Sequence, residues 1–147
     1  MRSKLLADGA TRTYVLVFDT GDEAMNGLTD FAKSNGIDAA SVTAVGALRS
    51  ATLAYFDIEQ KQYHNIPVDE QTEVLTLAGD ITRNGDDRQV HVHAVLGRRD
   101  GTTRGGHVKE AYVRPTLEVM LTETPPHLWR SYDEKSGLAL IDLDATS

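Results

Sequence analysis

The chain has no cysteine. Disulfides and thiolate metal sites are excluded, any metal must be held by His, Asp or Glu, and nothing argues for an oxidising compartment. It also lacks any apolar run approaching the roughly 18–20 residues a membrane-spanning helix needs, so no membrane span is expected. Positive charge is in deficit: 15 Lys and Arg stand against 22 Asp and Glu, a formal net charge of −7. Nucleic-acid binding relies on a basic face that displaces phosphate counterions, so direct nucleic-acid contact is not expected. The small basic group Arg98, Arg99 and Arg104 is interrupted by Asp100 and reads as a solvated hairpin tip. Residues Met1 to Asp8 carry two positive charges but no long apolar core, and are not expected to act as a signal peptide. There is no repeat, low-complexity tract or internal linker. One domain over residues 1–147 is expected, large enough to bury about two thirds of its unfolded surface, with a cytoplasmic location as the default.

What is present concentrates between Gln89 and His107. Gln89-Val90-His91-Val92-His93-Ala94-Val95-Leu96-Gly97 alternates as a β-strand does. Successive side chains on a strand point to opposite faces, so His91 and His93 share one face and Val90, Val92 and Ala94 the other. Same-face neighbours are roughly 6.5–7 Å apart, close enough for two imidazoles to converge on one ion with Zn–N bonds of about 2.0–2.1 Å. Asp100-Gly101 is a hairpin signal between the two segments. Folding back there brings His107 opposite residue 93 or 94, with Gly105-Gly106 available for a bulge that sets its face and leaves room beside the site. The spacing thus predicts a metal site of His91, His93 and His107 with an open fourth position, zinc being the first choice for imidazole ligands. The plainer reading of such histidines is as satisfied polar groups in a strand. His64 reads as a non-ligand, and His127 as a weak ligand candidate in a loop.

Elsewhere, Thr13 to Asp19 reads as a strand buried on both faces. Thr20 with Glu23 resembles a capping box. Ala24, Leu28, Phe31 and Ala32 then follow at helical spacing, with Gly36 as the stop. Ala39 to Ala47 and Leu48 to Asp57 read as strands separated by a bend or bulge at Gly46. Further strands are predicted at Gln62 to Ile66, Glu70 to Thr82, Thr116 to Thr122 and Leu138 to Ile141. Asn84-Gly85-Asp86-Asp87 is a turn, and Trp129 and Tyr132 are expected to anchor the tail. With seven or eight strands and one principal helix, the fold class is α+β, a mainly antiparallel, strongly curved sheet with the helix packed on it. Glu118, flanked by Leu117 and Val119 on the opposite face, is a candidate for proton transfer. Arg49, just after Gly46, is a candidate anion holder. The plainer readings are a solvated carboxylate and an ion-paired surface arginine.

Taken together these segments resemble the PPC (plants and prokaryotes conserved) domain. The resemblance runs from about Thr13 to Thr124. It is carried by Gly36-Ile37, Val42 to Leu48, Ala51 to Asp57, Leu77-Ala78-Gly79-Asp80-Ile81, His91-Val92-His93-Ala94, Asp100-Gly101, Gly105-Gly106-His107, Val113, Thr116, Glu118 and Val119. It implies a homotrimer and, as in prokaryotic members, a metal (usually zinc) on histidines matching His91, His93 and His107. The fold also resembles that of acetolactate decarboxylase, which suggests an enzyme acting on a small oxygenated acid and a small anionic ligand. The competing implication is a non-catalytic regulatory or DNA-associated binding and oligomerisation module. The plant members' basic DNA-binding segments have no counterpart here.

Overall fold

The computed structural model describes residues 1–124 and 128–145. Nine strands form one mixed, mainly antiparallel sheet, and a single α-helix packs on it among the described residues, an α+β architecture. The strands are β1 (Arg2–Asp8), β2 (Arg12–Asp19), β3 (Ala40–Asp57), β4 (Gln62–Val68), β5 (Thr72–Asn84), β6 (Asp87–Gly97), β7 (Thr103–Glu123), β8 (Trp129–Asp133) and β9 (Leu138–Asp142); the helix α1 is Ala24–Ser34. No described helix is long and apolar enough to cross a membrane.

Two long strands organise the rest. The first part of β3 pairs with β5 on one side and the end of β7 on the other; its second part pairs with β4 and the start of β7. Because β6 pairs with both β5 and β7, the hydrogen-bonded path β3–β5–β6–β7 returns to β3. The alternation of the sequence turns Leu16, Phe18, Val42, Leu77, Val92, Leu96, Leu117, Val119 and Leu121 inward, all 2% exposed or less. Helix α1 covers this face with Ala24, Leu28, Phe31 and Ala32, the stripe its spacing predicts. Full burial of a Leu or Phe side chain contributes roughly 1.5–3 kcal/mol.

Several local expectations need correction. The helix is capped by Glu23, whose carboxylate accepts from the Met25 and Asn26 backbone N–H groups and from Ala111 N, while Thr20 donates to the Pro115 carbonyl. A tertiary bond from β7 fixes the cap and moves the start three residues on. The C-terminus is as expected: Gly36 N and Ile37 N bond back to Lys33 O and Ala32 O around a left-handed Gly36. Strand β2 is buried on one face only, because Tyr14, Leu16 and Phe18 point to the core and the alternate residues do not. Residues Arg2–Asp8 form the unexpected β1, an exposed edge strand paired with β2. Residues 40–57 form one strand rather than two, with pairing shifted around Gly46. Strand β7 runs through Pro115, which lies where the pairing jumps from Gly46↔Leu117 to Leu48↔Val113; a residue without an N–H is tolerated at such an irregularity. Tyr132 is 69% exposed and anchors nothing, whereas Trp129 is half-buried under the Arg83 guanidinium, 4.4 Å from its ring centre.

Candidate metal centre

The β6–β7 hairpin is regular from Gly97↔Thr103 down to His93↔His107. Its connection is held by Arg98 N to Thr102 O and Gly101 N to Arg98 O, and Asp100 Oδ1 accepts from the backbone and hydroxyl of Thr102. His107 therefore lies directly across from His93 without a bulge. The bulge that Gly105-Gly106 could have supplied is not used; Gly106 serves instead to let β3 approach, since a Cβ there would stand 2.7 Å from the Ala54 carbonyl oxygen. On the far side of β6, Gly79 of β5 plays the same part, as a Cβ there would be 2.0 Å from the His91 carbonyl oxygen.

The three rings form a nearly equilateral group, with centroids 5.1 Å apart for His91–His93, 5.4 Å for His91–His107 and 5.5 Å for His93–His107. One ring nitrogen from each lies within 4.8 Å of the other two. Points so placed are no farther than about 2.8 Å from a common centre, so ring movements of under about 1 Å would bring all three to a bond length of about 2.0–2.1 Å. Burial, then the neighbouring His91 and His93 rings and Lys109, pushes His107 down to about 4. Burial of the ring and proximity to His91 lower His93 as well, although part of its side chain is exposed. At neutral pH each of these two rings is neutral and keeps a lone pair on one nitrogen, the state a cation requires. Nδ1 of His107 is buried and has no hydrogen-bond partner among the described residues. A buried polar atom without a partner is uncommon and calls for one, and an ion is one that an imidazole accepts. The donor set and its protonation fit a borderline metal such as zinc.

Around the rings stand groups that the sequence reading did not single out. Tyr63 of β4 lies against His107, ring centroids 5.0 Å apart, and Lys109 Nζ stands 5.1 Å from the Tyr63 centroid. Asp80 of β5 is the cross-strand partner of His91, its Oδ2 3.8 Å from His91 Nδ1. Burial would raise the Asp80 carboxyl, but the neighbouring His91 and the Arg130 guanidinium outweigh it and hold the group below its ordinary range. A cavity of about 200 Å³ opens beside His91 and His107, lined also by Tyr63, Gln89, Arg130 and the Leu138–Leu140 segment.

The structure brings the three histidines together and leaves the other two candidates elsewhere in the chain. Glu118 pairs across from Val45 and lines a separate hollow of about 180 Å³ with Thr43, Thr76 and Met120. Arg49 is exposed and lies over the Tyr112 ring, 5.4 Å from its centre. His64 is exposed, its Nε2 3.7 Å from Asp57 Oδ2, and is not among the three. His127 lies outside the described residues.

No curated protein matches the chain. Among solved structures, a metal-containing protein from Archaeoglobus fulgidus is 30% identical, with a TM-score of 0.83 over 96% of this chain and 98% of its own. A plant- and prokaryote-conserved protein from Pyrococcus horikoshii is 30% identical, with a TM-score of 0.84 over 93% and 97%. A protein from Bacteroides thetaiotaomicron named as a candidate DNA-binding protein is 25% identical, with a TM-score of 0.90 over 97% and 99%. The model of the Plants and Prokaryotes Conserved (PCC) domain, also abbreviated PPC, matches residues 6–125. With four fifths of its length inside that match, and with full-length likeness to solved relatives, the chain belongs to the Plants and Prokaryotes Conserved domain family.

Proposed function

We propose that this protein binds one zinc ion per chain on His91, His93 and His107 and works as a homotrimer. The observation that carries the reading is the convergence of three ring nitrogens within 4.8 Å, His93 and His107 both biased toward their neutral forms. The metal-containing relative from Archaeoglobus fulgidus supports it. Three neutral ligands would leave the ion its full charge and an open position, and Lewis-acid polarisation of a carbonyl or of water is the chemistry such an ion supplies. The cavity beside His91 and His107 has the size for a small anionic or oxygenated ligand, which is why a reaction on a small oxygenated acid is the enzymatic form of the proposal.

Support for self-association comes from the outer face of the sheet. Val45, Leu75, Val95 and Met120 are 56%, 54%, 37% and 43% exposed there, on the face that also carries His93 and Glu118. Exposed apolar side chains clustered on one face mark interaction surfaces. The ring of pairings β3–β5–β6–β7 supports a strongly curved sheet behind that face. Any part for Glu118 in proton transfer, or for Arg49 in holding an anion, depends on the assembly, since neither stands with the histidines of its own chain. The non-catalytic reading, a regulatory or DNA-associated module, is favoured by the Bacteroides relative's name and opposed by the net charge of −7. A cytoplasmic location is proposed with both readings.

Metal analysis of tag-free protein tests the proposal. It predicts zinc near one equivalent per chain, lost in His91→Ala and His93→Ala with the fold retained. Absence of zinc uptake by the wild-type chain, or full uptake by both variants, would refute it.

A further inference from the structure

Arg130 is the most buried charged side chain near the histidines, 5% exposed, and comes from β8, beyond the residues that the family model matches. Strand β8 joins β5 just beyond the start of β3: Arg83 pairs with Trp129, and Arg83 N donates to Leu128 O. From there the Arg130 guanidinium reaches back along β5. Its Nε donates to Thr82 Oγ1 at 2.7 Å, Nη1 to the Ala139 carbonyl at 2.9 Å, and Nη2 to Asp80 Oδ1 at 2.8 Å. The same Nη2 is 3.2 Å from His91 Nδ1. Two charged groups of opposite sign thus meet one nitrogen of one candidate ligand.

The two contacts ask for different tautomers of His91. A guanidinium only donates, so Nη2 can bond Nδ1 only while Nδ1 carries a lone pair. In the neutral ring that puts the proton on Nε2, which then cannot ligate. An ion bound through Nδ1 would stand beside the guanidinium, against like charge and in a partly dry site. An ion bound through Nε2 instead requires the proton on Nδ1, and the acceptor available for it is Asp80 Oδ2, 3.8 Å away. Carboxylates that take the second ring N–H of a ligating imidazole fix its orientation and raise its basicity.

We propose that Asp80, held in place by Arg130 of the C-terminal hairpin, is the positioning residue of the metal centre: it accepts the Nδ1 proton of His91 and so turns Nε2 to the ion. The inference rests on the zinc reading above. Loading moves the ring proton from Nε2 to Nδ1 by exchange with water, so His91 releases no net proton. Arg130 has two parts, opposing the loaded tautomer at Nδ1 while fixing the carboxylate that favours it. The C-terminal hairpin is therefore a working part of the site and not a trailing segment.

The test uses the full chain without a histidine tag, labelled with ¹⁵N, and zinc as the probe. Long-range ¹H–¹⁵N correlations report which nitrogen of each ring is protonated, His91 being assigned by its disappearance in His91→Asn. Without metal, His91 should carry its proton on Nε2; with zinc, on Nδ1. Competition against a chromophoric chelator should show zinc held about ten- to a hundredfold more weakly by Asp80→Asn, with an unchanged circular-dichroism spectrum. Zinc affinity in a folded Asp80→Asn within twofold of wild type overturns the proposal. So does a zinc-loaded wild-type chain whose His91 proton remains on Nε2, a result that stands even if the variant fails to fold. A wild-type chain that takes up no zinc removes the parent reading and this one with it. Zinc bound normally with either contrary result removes this one alone.

Discussion

His107 is the residue on which the chemistry turns. Its folded value near 4 lies below the ordinary 6.5, so between those values the unfolded chain binds a proton that the folded chain refuses. Stability rises with pH wherever the unfolded state holds more protons. The contribution is therefore fully present above about pH 6.5 and is lost as pH falls toward 4. Urea midpoints measured in a chelator at pH 7.5, 6 and 5 should fall across that window for the wild type, and less steeply for His107→Asn. An equal slope in both would show that His107 is not held neutral by the fold. Residue placement here was partly legible. Counting back from Asp100-Gly101 puts residue 107 opposite 93 or 94, and the structure has it opposite His93. The same counting from the Asn84–Asp87 turn puts Asp80 opposite His91, as observed, so Asp80 was within reach of the sequence. Arg130 and Tyr63 were not, because each reaches the site through a strand pairing far from it in the chain.

Elements are fixed by contacts that local patterns do not carry. The helix stripe and its glycine stop follow from periodicity, but the helix start does not, because Glu23 is held by Ala111 N, 88 residues away. Strand β7 reads as a hairpin return to His107 and a separate strand from Thr116, yet it is one strand, since the irregular pairing with β3 absorbs the missing donor at Pro115. Strand β1 has no inward face and so leaves no alternation to read. Two adjacent glycines separate the explanations open to this hairpin. Gly106→Ala drives a methyl against the Ala54 carbonyl oxygen and should cost about 1–3 kcal/mol while weakening zinc binding. Gly105→Ala meets nothing nearer than 3.4 Å and should be close to neutral. Equal effects on unfolding midpoint and zinc affinity would mean that close approach of β3 is not what Gly106 provides. On the helix, Leu28→Ala empties a fully buried position and should lower stability by about 2–5 kcal/mol in denaturant titration, with little change in zinc stoichiometry.

For the whole molecule, composition set useful bounds: no cysteine, no membrane-length helix among the described residues, and an acidic balance. It did not reveal that one face of the sheet stays apolar and exposed, because that depends on which alternate residues lie outward once β3, β5, β6 and β7 are paired. If that face is where copies meet, sedimentation equilibrium should give three times the 16.1 kDa chain mass. Val45→Asp with Leu75→Asp should lower it toward one chain, because both side chains are more than half exposed in the single chain and would become buried on association. A wild-type mass of one chain would remove the trimer from the account. Three imidazoles, brought by a strand and its return, are expected to hold one ion. Anomalous diffraction at the zinc edge, from tag-free crystals grown with zinc, measures it most directly. A single peak is expected about 2.0–2.1 Å from one nitrogen each of His91, His93 and His107; no peak there, or a peak that leaves out one of the three rings, would rule out a three-histidine site.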